Sequence, residues 1–241
     1  MRIFTFITLL VCISGSLFAQ NSDTLVASAE IPEYPVSLYK SATNLTQNLY
    51  NGRQYYLYDS RQEEFQFFNQ RKWHNGVVMY DGQRFDSIPM LYDIFKDELV
   101  IKHFMGDHLL LQSEKVDYFI LDQHHFERLE AGKGINPQMR TGFYDIVYNG
   151  KSRMIVRRTK SRQEKIIEKR VASIYLVKNS YYVFKDDKYH GVQTKKAVYS
   201  LFPEHKKELR KVLRDEKIRF RANRELAIAR MVAKHDELAR L

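Results

Sequence analysis

The chain has 241 residues, 44% of them hydrophobic and 28% charged, with 39 Lys and Arg against 29 Asp and Glu. That length supports a buried core as one large or two small domains. Its one cysteine, Cys12, lies in the leading apolar stretch, so the rest of the chain has no disulfide, thiol nucleophile or thiolate-bound metal.

Residues 1–19 read as a secretory signal peptide. Arg2 opens it, Ile3 to Ile13 is apolar, and Leu17-Phe18-Ala19 offers cleavage after Ala19. The apolar run is shorter than the ~20 residues a spanning helix needs. A lipidated Cys12 is the weaker reading, because Val11 stands where a small residue is wanted. Residues 20–43 are polar, contain Pro32 and Pro35, and predict an extended arm. Charge is then divided along the chain. Residues 20–150 hold 12 Lys and Arg against 18 Asp and Glu, whereas residues 151–241 hold 26 against 11. A basic second half on an exported chain points to an anionic partner, such as lipid head groups, an acidic glycan or an acidic protein face. The export signal argues against nucleic acid.

Residues 44–192 predict an antiparallel, β-rich body. Short runs with strand character follow one another at about ten-residue spacing: "QYYLY", "GVVMY", "RFDSI", "MLYDI", "ELVIKHF", "HLLLQ", "VDYFIL" and "HFERLE". The fold class is therefore mainly β (α+β), a curved sheet, sandwich or open barrel followed by basic helices. Residues 130–142, with three glycines and a proline, predict a mobile loop. The stretch "RRTKSRQEKIIEKR" (157–170) reads as a charged loop or irregular helix. "VASIYLVK" and "SYYVFKD" predict a hairpin turning at Asn179.

Residues 193–241 change to helical periodicity, within one domain with the sheet or beside it. Thr194 suits the N-cap of "KKAVYSLF", and Pro203 suits the first turn of the next helix. Asn223 is a candidate cap for "RELAIARMVAKHDELARL", with Leu226, Ala229 and Ala233 on one face and Ile228, Met231 and Val232 widening it.

A Tyr-Asn/Asp-Gly step occurs at 50–52, 80–82 and 148–150. Asn-Gly and Asp-Gly accept the positive φ that two-residue hairpin turns need. The copies at Asp81-Gly82 and Asn149-Gly150 predict hairpins, the first with a bulge between Phe85 and Ile88. The copy at Asn51-Gly52 predicts the end of a helical turn before a strand. The flanks do not align at a fixed period, which excludes a repeat array.

Catalytic signatures are lacking: there is no phosphate loop, nucleophile elbow or zincin helix, and no cofactor motif. His103 and His108 flank a tight turn and are the weak candidates for a metal. Glu63-Glu64, Asp97-Glu98 and Asp186-Asp187 are the carboxylate pairs, whose neighbours diverge on a strand or sit in a solvated turn. Trp73 reads as a core or sheet-edge packing residue, with an exposed recognition aromatic as the weaker reading. The basic density falls on "RRTKSRQEKIIEKR" and on the helix from Pro203, where Lys206, Lys207, Arg210, Lys211 and Arg214 predict a broad positive face.

The "FAQ" end of the leader, "LYNGRQYYLYD", "WHNGVVMYDGQRFDSIPMLYDIFKDELV", "GFYDIVYNG" and "YSLFPEHKKELRKVLRDEKIRF" together resemble uncharacterised secreted proteins of Bacteroidetes, a family of unknown function. The resemblance covers most of the chain. It implies an exported envelope protein and no known activity. It also implies that Asp23-Thr24-Leu25 and Asp86-Ser87-Ile88 are similar to O-glycan acceptor sites of that group, which makes Thr24 and Ser87 glycosylation candidates.

Three functions are weighed from these features. The leading one is a non-enzymatic envelope protein, periplasmic, outer-envelope or secreted, that binds an anionic partner through its basic C-terminal surface. The second is a carrier of an apolar or glycan ligand, lined by Tyr55, Tyr58 and Phe119. The third is a hydrolase joining His103, His108 or His125 to a carboxylate.

Overall fold

The computed structural model describes residues 48–57, 65–132, 139–167 and 170–240. The signal peptide, the 20–43 arm, Thr24, Tyr58, Glu63-Glu64 and the middle of the 130–142 loop lie outside the described residues. A 3-10 turn at Asn48–Tyr50 is followed by eleven strands. These are β1 (Arg53–Gln54), β2 (His74–Tyr80), β3 (Gln83–Asp93), β4 (Glu98–Lys102), β5 (His108–Leu110), β6 (Val116–Leu121), β7 (His124–Leu129), β8 (Gly142–Asn149), β9 (Arg153–Ile167), β10 (Arg170–Lys185) and β11 (Lys188–Gly191). Helices α1 (Lys195–Leu201), α2 (Lys206–Asp215) and α3 (Arg224–Leu238) complete the chain. The protein is mainly β, one open antiparallel sheet followed by three C-terminal helices.

The strands lie in the order β1-β5-β4-β3-β2-β6-β7-β8-β9-β10-β11. The chain thus meanders outward from β2 to β5, returns beside β2, and meanders the other way to β11. The return is short. Leu110 and Val116 are separated by five residues that include a 3-10 turn at Ser113–Lys115. On a flat sheet β5 and β6 would stand four strand spacings apart, about 19 Å. Five residues with a helical turn fall short of that reach at ~3.3 Å per extended residue, so the sheet curls there. The curl is filled by Val78, Met90, Tyr92, Leu99, Phe119, Phe126 and Phe143, with Phe119 stacked on Phe126 at 4.8 Å. A second approach draws β9 against the turn after β3: the Lys160 N–H donates to the Ile94 carbonyl at 3.0 Å.

Alternate residues of β9 and β10 serve two cores, as a strand's period of two requires. Met154, Val156, Tyr181 and Val183 meet Val198, Phe202, Leu209, Leu213, Ile228, Met231 and Val232 of the helices. Ile155 instead packs with Tyr144, Met139 and Tyr189. Sheet and helices therefore share buried surface.

Several expectations hold. Asp81 (φ 52°) and Gly82 (φ 75°) form the two-residue turn from β2 to β3. The bulge falls where expected, since Gly76 pairs with Ile88 but Val78 pairs with Phe85, and Ser87 takes φ 56°. The Thr194 hydroxyl accepts from the Ala197 N–H at 3.1 Å and caps α1. Pro203 opens a 3-10 turn that leads into α2.

Others are corrected. Residues 157–167 and 170 belong to strands: fourteen cross-strand pairs, from Met154↔Val183 to Ile167↔Arg170, hold β9 to β10. The β-branched and aromatic side chains of β10 supply a partner that outweighs the poor strand propensity of the charged run. Asn179 is no turn; it pairs with Arg158 inside an unbroken β10. Asn149-Gly150 is not a two-residue turn either. Asn149 pairs with Arg153 across a three-residue loop, because Asp236 of α3 accepts the Ser152 N–H at 2.8 Å and draws the loop onto the helix. Gly150 is required there, since a Cβ would collide with the Asp236 carboxylate and the Tyr148 ring. The strand after Gly52 spans only Arg53–Gln54. Asn223 gives α3 no side-chain cap, and its buried face is Ala227, Ile228, Met231, Val232, His235 and Asp236, with Leu226 exposed.

Candidate functional site

Helix α2 has the sequence KKELRKVLRD, and its apolar stripe is short. Leu209 and Leu213 are buried, and Val212 packs beside them. At about 100° per residue, Lys206, Arg210, Arg214, Lys207 and Lys211 fall on one continuous arc of about 140° that flanks that stripe and faces solvent. Glu208 and Asp215 fall together at its edge. All five cations are exposed. Arg214 makes a loose contact with Asp215 at 3.7 Å. The other four form no ion pair among the described residues. The sequence-predicted basic surface is therefore assembled on one helix face. Arg219, Arg221 and Arg224 continue the exposed positive charge through the link into α3. Arg221 and Arg224 also line an open cleft of about 670 Å³ with Asn179 and Tyr181.

Several other cations of the basic half are used internally, while Lys151, Lys165, Lys178, Lys188 and Lys196 are exposed. Arg153 pairs with Glu127 at 2.5 Å, and Arg157 pairs with Asp97 at 3.1 Å. Arg158, 8% exposed, donates through Nε to Asp145 at 2.7 Å and makes two bonds to Glu225 of α3, at 3.0 and 3.1 Å. Burial works against its charge, and Glu225 and Asp145 restore it. Lys160 donates to the carbonyls of Phe65 and Phe67, each at 2.7 Å. Arg153, Arg157 and Arg158 of β9 thus neutralise carboxylates of the acidic half, while the five cations of α2 face outward.

The histidines separate. Lys102 pairs with His108, so His103 and His108 project from opposite faces of their hairpin. The His103 ring contacts Tyr50 and Phe104, and its Nδ1 accepts the Met105 N–H at 3.2 Å. His108 lies against Trp73 at 4.8 Å, the packing role expected of that tryptophan. The structure does not bring His103 and His108 together around an ion. His124 reaches Asp145 at 2.7 Å, whereas His125 turns to the other face beside Tyr118. Among the described residues, the one His and carboxylate group compact enough for an ion is Glu204, His205 and His235, which sequence reasoning missed. Burial holds the His235 imidazole below its ordinary pKa of 6.5, against the pull of Glu204 and with Lys185 and His205 adding. A bond from its own backbone, helped by Lys185, holds the Glu204 carboxyl below its usual range.

Asp97 meets Tyr92 and Arg157 rather than Glu98, and burial raises its pKa against those partners. Asp186 and Asp187 occupy the β10–β11 turn with φ of 50° and 57°. Tyr55 and Phe119 are buried in separate apolar clusters, Tyr55 beside Phe67 and Phe119 against Phe126. Ser87 is exposed at the tip of its bulge. No described helix is long and apolar enough to cross a membrane. Compared with models of protein families, with curated proteins and with solved structures, the chain matches none.

Proposed function

We propose that this is an exported, non-enzymatic protein of the cell envelope that docks on an anionic surface through the outer face of α2. What carries the reading is the arc of Lys206, Lys207, Arg210, Lys211 and Arg214, exposed together on one helix, whereas Arg153, Arg157 and Arg158 of β9 are matched by carboxylates. Leaving several like charges together in solvent stores self-repulsion that an anionic partner relieves. The signal-like residues 1–19 support export.

Each lysine or arginine close to an anionic bilayer gains about 1 kcal/mol. Replacing all five by glutamine is therefore expected to weaken binding to vesicles containing phosphatidylglycerol by on the order of a hundredfold or more. Cosedimentation at low and physiological salt measures it. Binding that is equal on neutral vesicles, or unchanged in the five-residue variant, overturns the reading.

A further inference from the structure

The turn before α2 and the C-terminal half of α3 converge on a group of donors with no assigned role. Glu204 and His205 stand in the 3-10 turn Pro203–His205, and His235 faces them from α3. Their ligand atoms all lie within 4.8 Å of one another. His235 is 7% exposed and its ring is stacked on Phe202, with centroids 4.0 Å apart. Its Nδ1 is buried, makes no hydrogen bond, and points to Glu204 Oε1 at 3.7 Å. An imidazole nitrogen without a partner is costly in such a position.

We propose that Glu204, His205 and His235 form a binding site for a divalent transition-metal ion of the zinc type. Two imidazoles and one carboxylate suit zinc, cobalt or nickel and are a poor match for magnesium or calcium, which prefer oxygen. Around tetrahedral zinc the ligand atoms stand about 3.3–3.5 Å apart, given bonds of about 2.0–2.1 Å. The fixed His235 nitrogen and the Glu204 oxygen are already close to that spacing. His205 is half-buried and Glu204 is exposed, so both rotate inward at little cost. Three protein ligands leave a position for water. Lys185 is the competing cation, with Nζ 3.4 Å from Glu204 Oε1. It is held more closely by the Leu201 carbonyl at 2.9 Å, and keeps that bond when the metal takes the carboxylate. The ion pins the turn before α2 to α3. This inference stands apart from the anionic-surface reading, because none of its three ligands belongs to the basic arc.

The test uses the full chain without a histidine tag, freed of metal by a chelator. Titration with Co²⁺ is expected to give visible absorption saturating at one equivalent, and Zn²⁺ to displace it and raise the Tm. His205→Ala and Glu204→Gln change solvent-accessible side chains and leave the core intact. Each is expected to weaken Co²⁺ binding by more than about tenfold, since even outer-shell partners contribute that much. His235→Gln abolishes it. A titration without a one-equivalent endpoint overturns the site, as does one unaffected by both His205→Ala and Glu204→Gln.

Discussion

Asp145 is 1% exposed, yet it accepts from both His124 and Arg158. Arg158 in turn holds Glu225, so a buried carboxylate, a buried guanidinium and a second, partly exposed carboxylate share one site. No spacing rule marks such a network in a sequence. In the sequence Asp145 falls on one strand face with Phe143 and Val147, and Arg158 belongs to the charged run 157–170. Only the fold places them opposite each other. His108 shows the same dependence on context. Burial beside Trp73 lowers its pKa from 6.5, with Lys102 adding and Asp107 opposing. A histidine depressed in the folded state contributes stability that is present above its unfolded pKa and lost as pH falls through the folded value. The Tm difference between the native chain and His108→Gln should therefore shift against the native chain when the pH is lowered from about 8 to 5, spanning the ordinary histidine range. A difference that stays constant over that interval removes the argument.

At the scale of elements, legibility followed local chemistry. The Asp81-Gly82 turn, the bulge near Ser87, the Thr194 cap and the Pro203 start were readable because each is decided within a few residues. Thr194→Ala should cost about 1 kcal/mol by urea denaturation, the usual contribution of an N-cap hydroxyl. A loss indistinguishable from zero would mean that packing of Val198 alone holds α1. Long β9 and β10 were not readable, because their pairing is decided by partner strands rather than by propensity. The loop at Asn149-Gly150 was misjudged for the same reason: Asp236, 84 positions beyond Ser152, sets its width. The basic arc was legible from helical spacing. The trio of Glu204, His205 and His235 was not, since two members are adjacent and the third lies thirty residues away on another helix.

The whole molecule is joined by the contacts between β8, β9 and the helices. Apolar packing supplies most of the shared surface, and Arg158 links the sheet to the first turn of α3 through Glu225. Removing one partner of a buried ionic group leaves the others uncompensated, at about 3–5 kcal/mol. Arg158→Ala is expected to lose stability on that scale in urea, with the sheet and the helices still unfolding in a single transition. A loss below about 1 kcal/mol would show that water reaches the site and replaces the guanidinium, as at exposed pairs.

The ends of the strand order have their own consequence. Among the described residues the sheet begins on β1, two residues long, and finishes on β11, four residues long. Long flat margins invite a neighbouring molecule to extend the ladder. Here β11 covers only Tyr182–Lys185 of the sixteen-residue β10, so among the described residues the Val171–Ser180 stretch keeps a long uncovered border, with Val171, Leu176 and Val177 exposed on it, where a second molecule can add a strand.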